Sequence, residues 1–502
     1  MRRWIFGLSS VMFTPALVMA CSVGTDCDFG LCAGPTAGGE GGGGEAGVGQ
    51  DADGATTPPG CKPEADTIDA PACAADDFAI FVSPQGHADA AGTRTAPVNS
   101  VAGAITKLGT RSRIYVCEGT YAEAISLKGT AVSLFGGVAC DSWQYNGAPT
   151  KFRPAAPGIG LTFADISSAV VVSDLDVEVV DGTDAAPSSI AAFAKNTPNL
   201  TLRRVTLTAH AAKGGKSRGI SANGTLASST PLPATLDGSP GTSTTGGAAQ
   251  ACTCSNGGTT VGGRGGDPGG AKIDGLDGET LPTKVDPPAN NGKGSTRMQC
   301  ESALQTPGLP GSNGPDGLFS DGAKKLGSVT ASGWSPEPGL DGQPGTAGQG
   351  GGGGGGSGGA GGGGSGACGG CGGHGGLGGS GGGASVALLC LASPVTIVKS
   401  VLTSANAGPG GAGGLGGLGG DGGIRSNLTG GGCRGGNGGK GGLGGAGGGG
   451  AGGVSAAVLY KGSKPIIDAV ITTGAKGVKG PGGALGMNDG FDGDKQDILQ
   501  VE

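Results

Sequence analysis

Three stretches of the chain read SIAAF at residues 189–193, SVALL at residues 385–389 and SAAVL at residues 455–459. In each copy a proline follows the serine after nine or ten residues, and a second β-rich run containing a valine follows the proline. Each copy is about 23 residues long, which is enough for two or three short strands of one solenoid turn. The repeat therefore predicts an all-β solenoid whose turns stack on one another.

The chain before these copies has the same texture from about residue 76 onward. Short β-rich clusters alternate with Gly, Asn, Asp and Pro, a spacing that favours a solenoid over a sandwich. Between Val98 and Leu108 the apolar residues recur instead at helical spacing, which predicts a helix that caps the first turn. The β-rich clusters lie at residues 78–82, 114–116, 132–135, 170–172 and 200–202.

Four of these early motifs carry a family resemblance: FVSPQG at 81–86, GTRTAP at 92–97, IYVCEGTY at 114–121 and SLFGG at 133–137. They resemble the start of the right-handed parallel β-helix proteins of the pectate-lyase-like superfold. The chain is most similar to the DUF1565-like domains of glycine-rich, PGRS-like surface lipoproteins of the myxobacterial type, over about residues 76–240. The resemblance implies a right-handed parallel β-helix, but no activity, because a fold alone does not give one.

Composition divides the chain into eight segments. Two of them precede the β-rich part, and glycine-rich insertions separate the later turns from one another. The segments are a signal peptide (1–20), a low-complexity tether (21–75), a β-helix with an N-terminal capping helix (76–240), a glycine-rich insertion (241–384), a β-helix turn (385–407), glycine-rich arms (408–453), a second turn (454–475) and a C-terminal tail (476–502).

The first twenty-one residues have the layout of a secretory signal peptide. Arg2 and Arg3 precede an uncharged apolar stretch that is too short for a membrane span. The sequence VMAC at 18–21 resembles the bacterial lipobox, which predicts lipidation of Cys21 and anchoring at the bacterial outer membrane or cell surface. The alternative is a secreted protein, cut at the same bond by a general signal peptidase, whose Cys21 joins a disulfide.

Cysteine use and charge agree with an exported protein. The chain has 14 Cys, and exported thiols usually form disulfides. Cys117 and Cys140 are one repeat length apart, each after a β-rich run, so their pairing is predicted. Small loops in the tether are expected between the neighbouring pairs Cys27 and Cys32, and Cys61 and Cys73. A formal net charge of -7 argues against a nucleic-acid partner.

Glycine makes up 119 of the 502 residues and follows a strict period of three at 369–380, 410–424 and 435–446. That period matches the polyglycine II helix, which has three residues per turn. We expect the last two stretches to form a hairpin of such helices that packs against residues 350–384. The alternative is a flexible glycine linker.

One acidic row and one cysteine pair are the candidate chemical sites. Asp174, Asp176 and Glu178 alternate with apolar residues, which predicts an acidic outer face on one strand. Such a row is a weak candidate for catalysis or for binding Ca²⁺, because it is usually only a solvated face; Arg203 and Arg204 are the only basic partners that the sequence suggests.

The cysteine pair has the spacing of a metal site, because His374 follows Cys368 and Cys371 by a few residues. Zinc sites normally need four ligands. We therefore expect disulfides with Cys390 or Cys433 instead, and no metal.

These features favour a non-catalytic surface lipoprotein with a structural or adhesive role. Its expected partners are the membrane, through the lipid anchor, and cell-envelope or extracellular polysaccharide. The alternative is a polysaccharide lyase or hydrolase that uses the acidic row. The scarcity of aromatic residues argues against it, since Trp143 and Trp334 are the only tryptophans after the signal peptide.

Overall fold

The computed structural model describes residues 57–62, 65, 67–225, 236–281, 291–359, 361–427 and 431–502. The predicted signal peptide, the predicted lipidation site at Cys21, most of the predicted tether and the pair Cys27 and Cys32 lie outside these residues. All described residues belong to one compact unit, Val48–Glu502.

The chain is almost entirely β in its regular structure, as expected. Its helices are a 3₁₀ turn at Pro71–Cys73, α1 at Val101–Thr106 and α2 at Arg297–Glu301. The strands are β1 Ala79–Val82, β2 Arg113–Cys117, β3 Gly119–Tyr121, β4 Ile125–Lys128, β5 Ser133–Val138, β6 Thr150–Phe152, β7 Ile159–Ala164, β8 Val170–Ser173, β9 Leu175–Glu178, β10 Ser189–Lys195, β11 Leu200–Arg203, β12 Thr206–Thr208, β13 Gln250–Thr253, β14 Thr259–Gly262, β15 Glu279–Leu281, β16 Gly327–Thr330, β17 Gly333–Pro336, β18 Ser385–Leu391, β19 Thr396–Thr403, β20 Ser455–Lys461, β21 Ile466–Thr472 and β22 Lys495–Gln500.

Most strands belong to three rows in which every neighbouring pair is parallel. The first row is β1, β2, β5, β8, β11, and the second is β3, β6, β9, β12. The long strand β19 joins these two rows, since its first half pairs with β11 and its second half with β12, and β21 follows it. The third row is β4, β7, β10, β18, β20, β22. From β2 onward, the chain thus contributes to the three rows in turn.

The sequence repeat predicts the register of the third row. Ser189 lies opposite Ser385, which lies opposite Ser455. The sequence repeat also aligns Val205 with Val401, and this alignment was wrong, because Val401 lies opposite Thr206. Lys195 lies opposite Leu391 but Thr201 lies opposite Thr396, so the connection before β11 has one residue more than the connection before β19. Val205 is buried while Val401 is exposed.

Those corners use left-handed backbone conformations. Gly137, Asp174, Arg204 and Lys399 all have positive φ where the first row passes into the second. A second series follows the third row, one residue after the end of each strand: Gly129, Asp165, Asn196, Ala392 and Gly462. Because positive φ is costly for a residue with a Cβ atom, its recurrence at equivalent positions shows that the turn geometry overrides the local preference.

The first end of the rows is closed by α1, within the segment whose spacing predicts a helix. The Ser100 side chain caps its N-terminus by accepting the Gly103 N–H, and Glu123 accepts the Val101 and Ala102 N–H groups. Val101 and Ala104 are buried in the main core. Desolvation raises the pKa of Glu123.

The glycine-rich segments form a hydrogen-bonded block beside the rows. Along residues 367–379 every third N–H donates to a carbonyl of residues 436–448, and along 441–453 every third N–H donates to residues 408–420. Residues 342–354 pair in the same way with 364–376. The expected antiparallel partnership of 410–424 with 435–449 is therefore present, and both segments contact residues 362–384.

The pattern of partners arranges the glycine block in three layers. One outer layer contains residues 308–323, 435–449 and 408–424. The middle layer contains residues 339–357 and 362–384, together with the described parts of 212–242, which are 212–225 and 236–242. Residues 245–281 form the third layer and include the antiparallel sheet β13–β14–β15. The central segment 362–384 is almost wholly buried.

Glycine is required inside this block for a steric reason. A Cβ atom on Gly373 would lie 2.0 Å from the carbonyl oxygen of Gly417, and one on Gly372 would lie 1.9 Å from that of Gly345. Neighbouring backbones have thus taken the space of side chains, which explains why hydrogen bonds can form in several directions around one segment.

Candidate functional site

Asp174 lies at a corner and not on the strand where the sequence places it. Its φ is 58°, and it separates β8 from β9. Its carboxylate accepts Arg204 Nε at 2.8 Å and Arg204 Nη2 at 2.8 Å. Tyr145 Oη donates to Asp174 Oδ1 at 3.2 Å. Burial, and then the negative charge of Asp174, raise the pKa of Tyr145, so the phenol stays a donor.

Asp176 and Glu178 do share the outer face of β9, where they alternate with buried residues. Arg153 joins them: its Nη2 lies 2.7 Å from Asp176 Oδ2, and its Nε lies 2.8 Å from Glu178 Oε2. The other oxygen of Glu178 lies 2.8 Å from His210 Nε2. The acidic row is therefore continuous with basic groups on the neighbouring turns.

Of these partners, Arg204 was suggested by the sequence, whereas Arg153 and His210 were missed. Arg153 precedes Asp176 by 23 residues, the same separation as Cys117 and Cys140. That spacing was the available signal, because it brings residues to neighbouring parallel strands; Arg153 follows by two residues Lys151, which lies opposite Asp176. Arg203 does not take part in the ion pairs of the row, since Arg204 occupies the corner opposite Asp174.

A cavity of about 360 Å³ opens next to this row, lined by Arg153, Glu178, Asp181 and His210. Its acidic groups face basic partners, because Glu178 contacts both Arg153 and His210. A glycosidase needs one carboxylic acid and one carboxylate positioned to act separately on a sugar. Here the carboxylates of the acidic row are held by guanidinium groups at the ends of neighbouring strands. The geometry therefore favours a row of structural ion pairs over an acid–base pair.

No three His, Cys, Asp or Glu side chains in the described ranges converge to hold a metal ion. Arg153 and Arg204 occupy the carboxylate oxygens that Ca²⁺ would need at the acidic row.

The cysteines of the glycine block form disulfides, although not with the partners expected. Cys368 pairs with Cys252 and Cys371 with Cys254. The expected partner Cys433 pairs with Cys300, and Cys390 is a buried free thiol whose pKa is raised by burial. The expectation that Cys390 or Cys433 would pair with Cys368 or Cys371 was wrong, because it overlooked residues 245–281 as a layer beneath 362–384.

His374, the third member of the metal-like spacing, instead contacts Ser255 Oγ through Nε2 at 3.0 Å. Two further disulfides tie the β-rich part: Cys61–Cys73 and Cys117–Cys140. Cys117–Cys140 joins the end of β2 to the chain directly after β5, and this pairing was predicted from the 23-residue spacing.

The outer layer of the glycine block presents side chains at every third residue. Leu415, Leu418 and Ile424 are exposed on one segment, beside Lys440 and Leu443 on the next. We call this surface the outer face, defined by residues 412–424 and 434–443. Side chains three residues apart on such a segment are separated by roughly 9 Å, so the outer face is a regular grid.

Asn and Asp side chains complete the hydrogen bonding of this face. The Leu418 N–H donates to Asn223 Oδ1 at 3.0 Å, and the Lys440 N–H donates to Asn313 Oδ1 at 2.9 Å. The Leu443 N–H donates to Asp316 Oδ1 at 2.7 Å. Backbone groups that point away from a neighbouring segment are thus satisfied by residues that directly precede a glycine.

Aromatic platforms for sugars are scarce in the described residues. Trp143 and Trp334 are both buried, and Trp143 Nε1 donates to the Arg94 carbonyl. No helix within those residues has the length and apolar character needed to cross a bilayer. No family model, curated protein or solved structure matches the chain.

Proposed function

We propose that this chain is a lipid-anchored, non-catalytic cell-surface protein with a structural or adhesive role. In this proposal the three parallel rows form a right-handed β-helix, and the glycine block is a bundle of polyglycine II helices carried on it. The outer face is the surface that contacts envelope or extracellular polysaccharide.

The order of strands along the chain supports the β-helix. Successive passages β2–β3–β4, β5–β6–β7 and β8–β9–β10 each place one strand in each row, always parallel to the strand before. Parallel neighbours need crossover connections, and such connections are right-handed in nearly all proteins. A chain that keeps visiting three rows in the same order winds about one axis.

Three properties support polyglycine II helices in the block. The glycines recur with a period of three, the hydrogen bonds recur with the same period, and the space of the missing Cβ atoms is filled by neighbouring carbonyl groups. A polyglycine II helix has no internal hydrogen bonds, so the bonds between segments supply its stability.

The observation that carries the adhesive role is the contrast between the two candidate sites. The acidic row has its carboxylates in ion pairs with Arg153 and Arg204, and Glu178 also contacts His210 Nε2. The outer face instead presents unengaged apolar side chains, with Leu418 60% and Ile424 68% exposed. A rigid, regularly spaced surface binds an extended polymer with little loss of its own conformational entropy.

The disulfides support an exported location. Ten of the 14 cysteines are in the five disulfides and Cys390 is an eleventh, which leaves Cys21, Cys27 and Cys32. Lipidation of Cys21 would leave Cys27 and Cys32 to pair with each other. This accounting agrees with an oxidising compartment.

Incubation of the mature chain with a panel of bacterial and plant polysaccharides tests the proposal. We expect binding without release of reducing or unsaturated ends, and unchanged binding in Asp174→Asn and Asp176→Asn. Leu418→Asp with Ile424→Asp should weaken binding at least about tenfold, since two charges would replace apolar contacts, equivalent to about 1.4 kcal/mol.

Leu485→Asp is the matched control, because Leu485 is 88% exposed and lies outside the outer face. Release of chain ends that is lost in the two Asn variants would make the protein a carbohydrate-active enzyme instead. Binding that survives the outer-face variant would assign adhesion to another surface.

A further inference from the structure

The last strand of the first two rows has an open edge. Among the described strands, β21 pairs only with β19. Its Ile466 N–H donates to the Val395 carbonyl directly before β19, and its Thr472 carbonyl accepts the Ser404 N–H directly after β19. Because hydrogen bonding alternates along a parallel strand, Ile467, Ala469 and Ile471 direct their backbone groups to the open side.

The inner face of β21 is apolar, and its outer face has two apolar residues beside Asp468 and Thr472. On the outer side Ile466 is 69% exposed and Val470 is 68% exposed. On the inner side Ile467, Ala469 and Ile471 pack against the main core but are only partly buried. Long edge strands with exposed apolar side chains pair readily with another chain unless they are protected.

The opposite end of the rows differs, because α1 and its cap cover it. A head-to-tail contact would require an open edge at both ends, so copies cannot stack into a filament through these rows. The remaining arrangement joins two identical open edges about a two-fold axis, which gives a closed dimer.

We propose that β21 pairs antiparallel with β21 of a second copy, with Ala469 of each chain facing its counterpart. This register overlaps the whole strand and keeps the side-chain faces matched, since Ile467 of one chain lies opposite Ile471 of the other. Asp468, the only charged residue of the strand, then lies opposite Val470 and not opposite its own counterpart.

The charges beyond the strand also fit this register. Lys464 lies opposite Gly474 of the second copy, and Lys476 lies opposite Gly462. No two like charges face each other directly, a juxtaposition that is destabilising in antiparallel pairs. The dimer thus extends both rows across the two-fold axis and covers the partly buried core residues of each copy.

Sedimentation velocity of the mature chain carrying Cys21→Ser, over a wide concentration range, tests the dimer. We expect a reversible monomer–dimer equilibrium. Val470→Asp places like charges opposite each other across the interface and should weaken dimerisation at least about tenfold. Val470→Lys, the matched control, places Lys opposite Asp468 and should preserve the dimer, although it removes the same apolar side chain.

A monomer at every concentration overturns the proposal, as does equal weakening by both substitutions at Val470. If Val470→Asp does not fold, as judged by circular dichroism, Ala469→Cys decides. Oxidation should then produce a covalent dimer in high yield, and only monomer would reject the register.

Discussion

The corner residues show how the fold imposes backbone conformations on single positions. Ala392 has a φ of 49° directly after β18, although alanine gains nothing from a left-handed conformation. Asp165 and Asn196 occupy equivalent corners, and the Asn196 amide donates to Asp165 Oδ1 at 2.8 Å. Asn and Asp tolerate this conformation better than other residues with a Cβ atom. Among these corner residues, Ala392 is therefore the least suited to a positive φ.

Substitution of Ala392 by Gly is therefore expected to stabilise the protein. Removal of the Cβ atom relieves about 1 kcal/mol of strain, partly offset by the greater entropy of glycine in the unfolded chain. Chemical denaturation should show a small increase in the free energy of unfolding. The reverse change, Gly462→Ala at the next corner, where φ is 100°, should decrease it; a gain in both variants would reject the corner argument.

Residue spacing revealed contacts between adjacent turns and little beyond them. The 23-residue separation predicted Cys117–Cys140, and the same separation relates Arg153 to Asp176, whose side chains form an ion pair. Cys252–Cys368 and Cys300–Cys433 join residues more than a hundred positions apart. Their pairing depends on how whole segments are layered, which no local pattern records.

At the scale of elements, the glycine block depends on backbone contacts that side chains would prevent. Gly373 lies in the central segment, where its Cβ position is filled by the Gly417 carbonyl at 2.0 Å. Gly219 lies at the edge of the block, where a Cβ atom would meet nothing within 4 Å. The two positions therefore separate the steric requirement from the general effect of replacing glycine.

Gly373→Ala should destabilise the block by about 1–3 kcal/mol, the usual cost of overpacking. Thermal unfolding and amide hydrogen exchange of residues 362–384 measure this change. Gly219→Ala is the control and should change stability by less than about 0.5 kcal/mol. Equal and negligible effects at both positions would show that the segments do not pack as described.

The periodic glycine segments 410–424 and 435–446 contact each other and residues 350–384 as expected, but the period of three did not reveal the less regular segments beside them. Residues 308–323 and 212–225 are less regular in sequence, yet they lie beside the strictly periodic segments. Asn223, Asn313 and Asp316 interrupt the pattern because their side chains accept N–H groups from the next segment. Irregular positions thus have a structural role that a search for perfect triplets overlooks.

For the whole molecule, the repeat predicted parallel rows with large insertions between turns. Stacking tolerates the insertion of residues 209–384 because β10 and β18 still pair in register across it. The glycine periods led to the expectation that residues 410–446 pack against 350–384, but the sequence did not reveal that residues 245–281 and 308–323 would join the same block. The proposed surface role depends on the packing of these segments into one block, because the outer face is formed by neighbouring glycine segments together.

The proposed anchor places this face at a distance from the membrane, and it predicts a simple fractionation result. Several acyl chains on Cys21 would hold the protein at a bilayer, whereas one chain binds only marginally. Cys21→Ser removes the acylated thiol, while Val18 and Ala20 keep the cleavage site of a general signal peptidase. We expect Cys21→Ser to move the protein from the membrane fraction to the medium or periplasm, with its disulfides intact.

Cys27→Ser, a matched change six residues away, should leave the protein in the membrane fraction. Retention of the Cys21→Ser protein at the membrane would show that another contact, and not the lipid, holds it there.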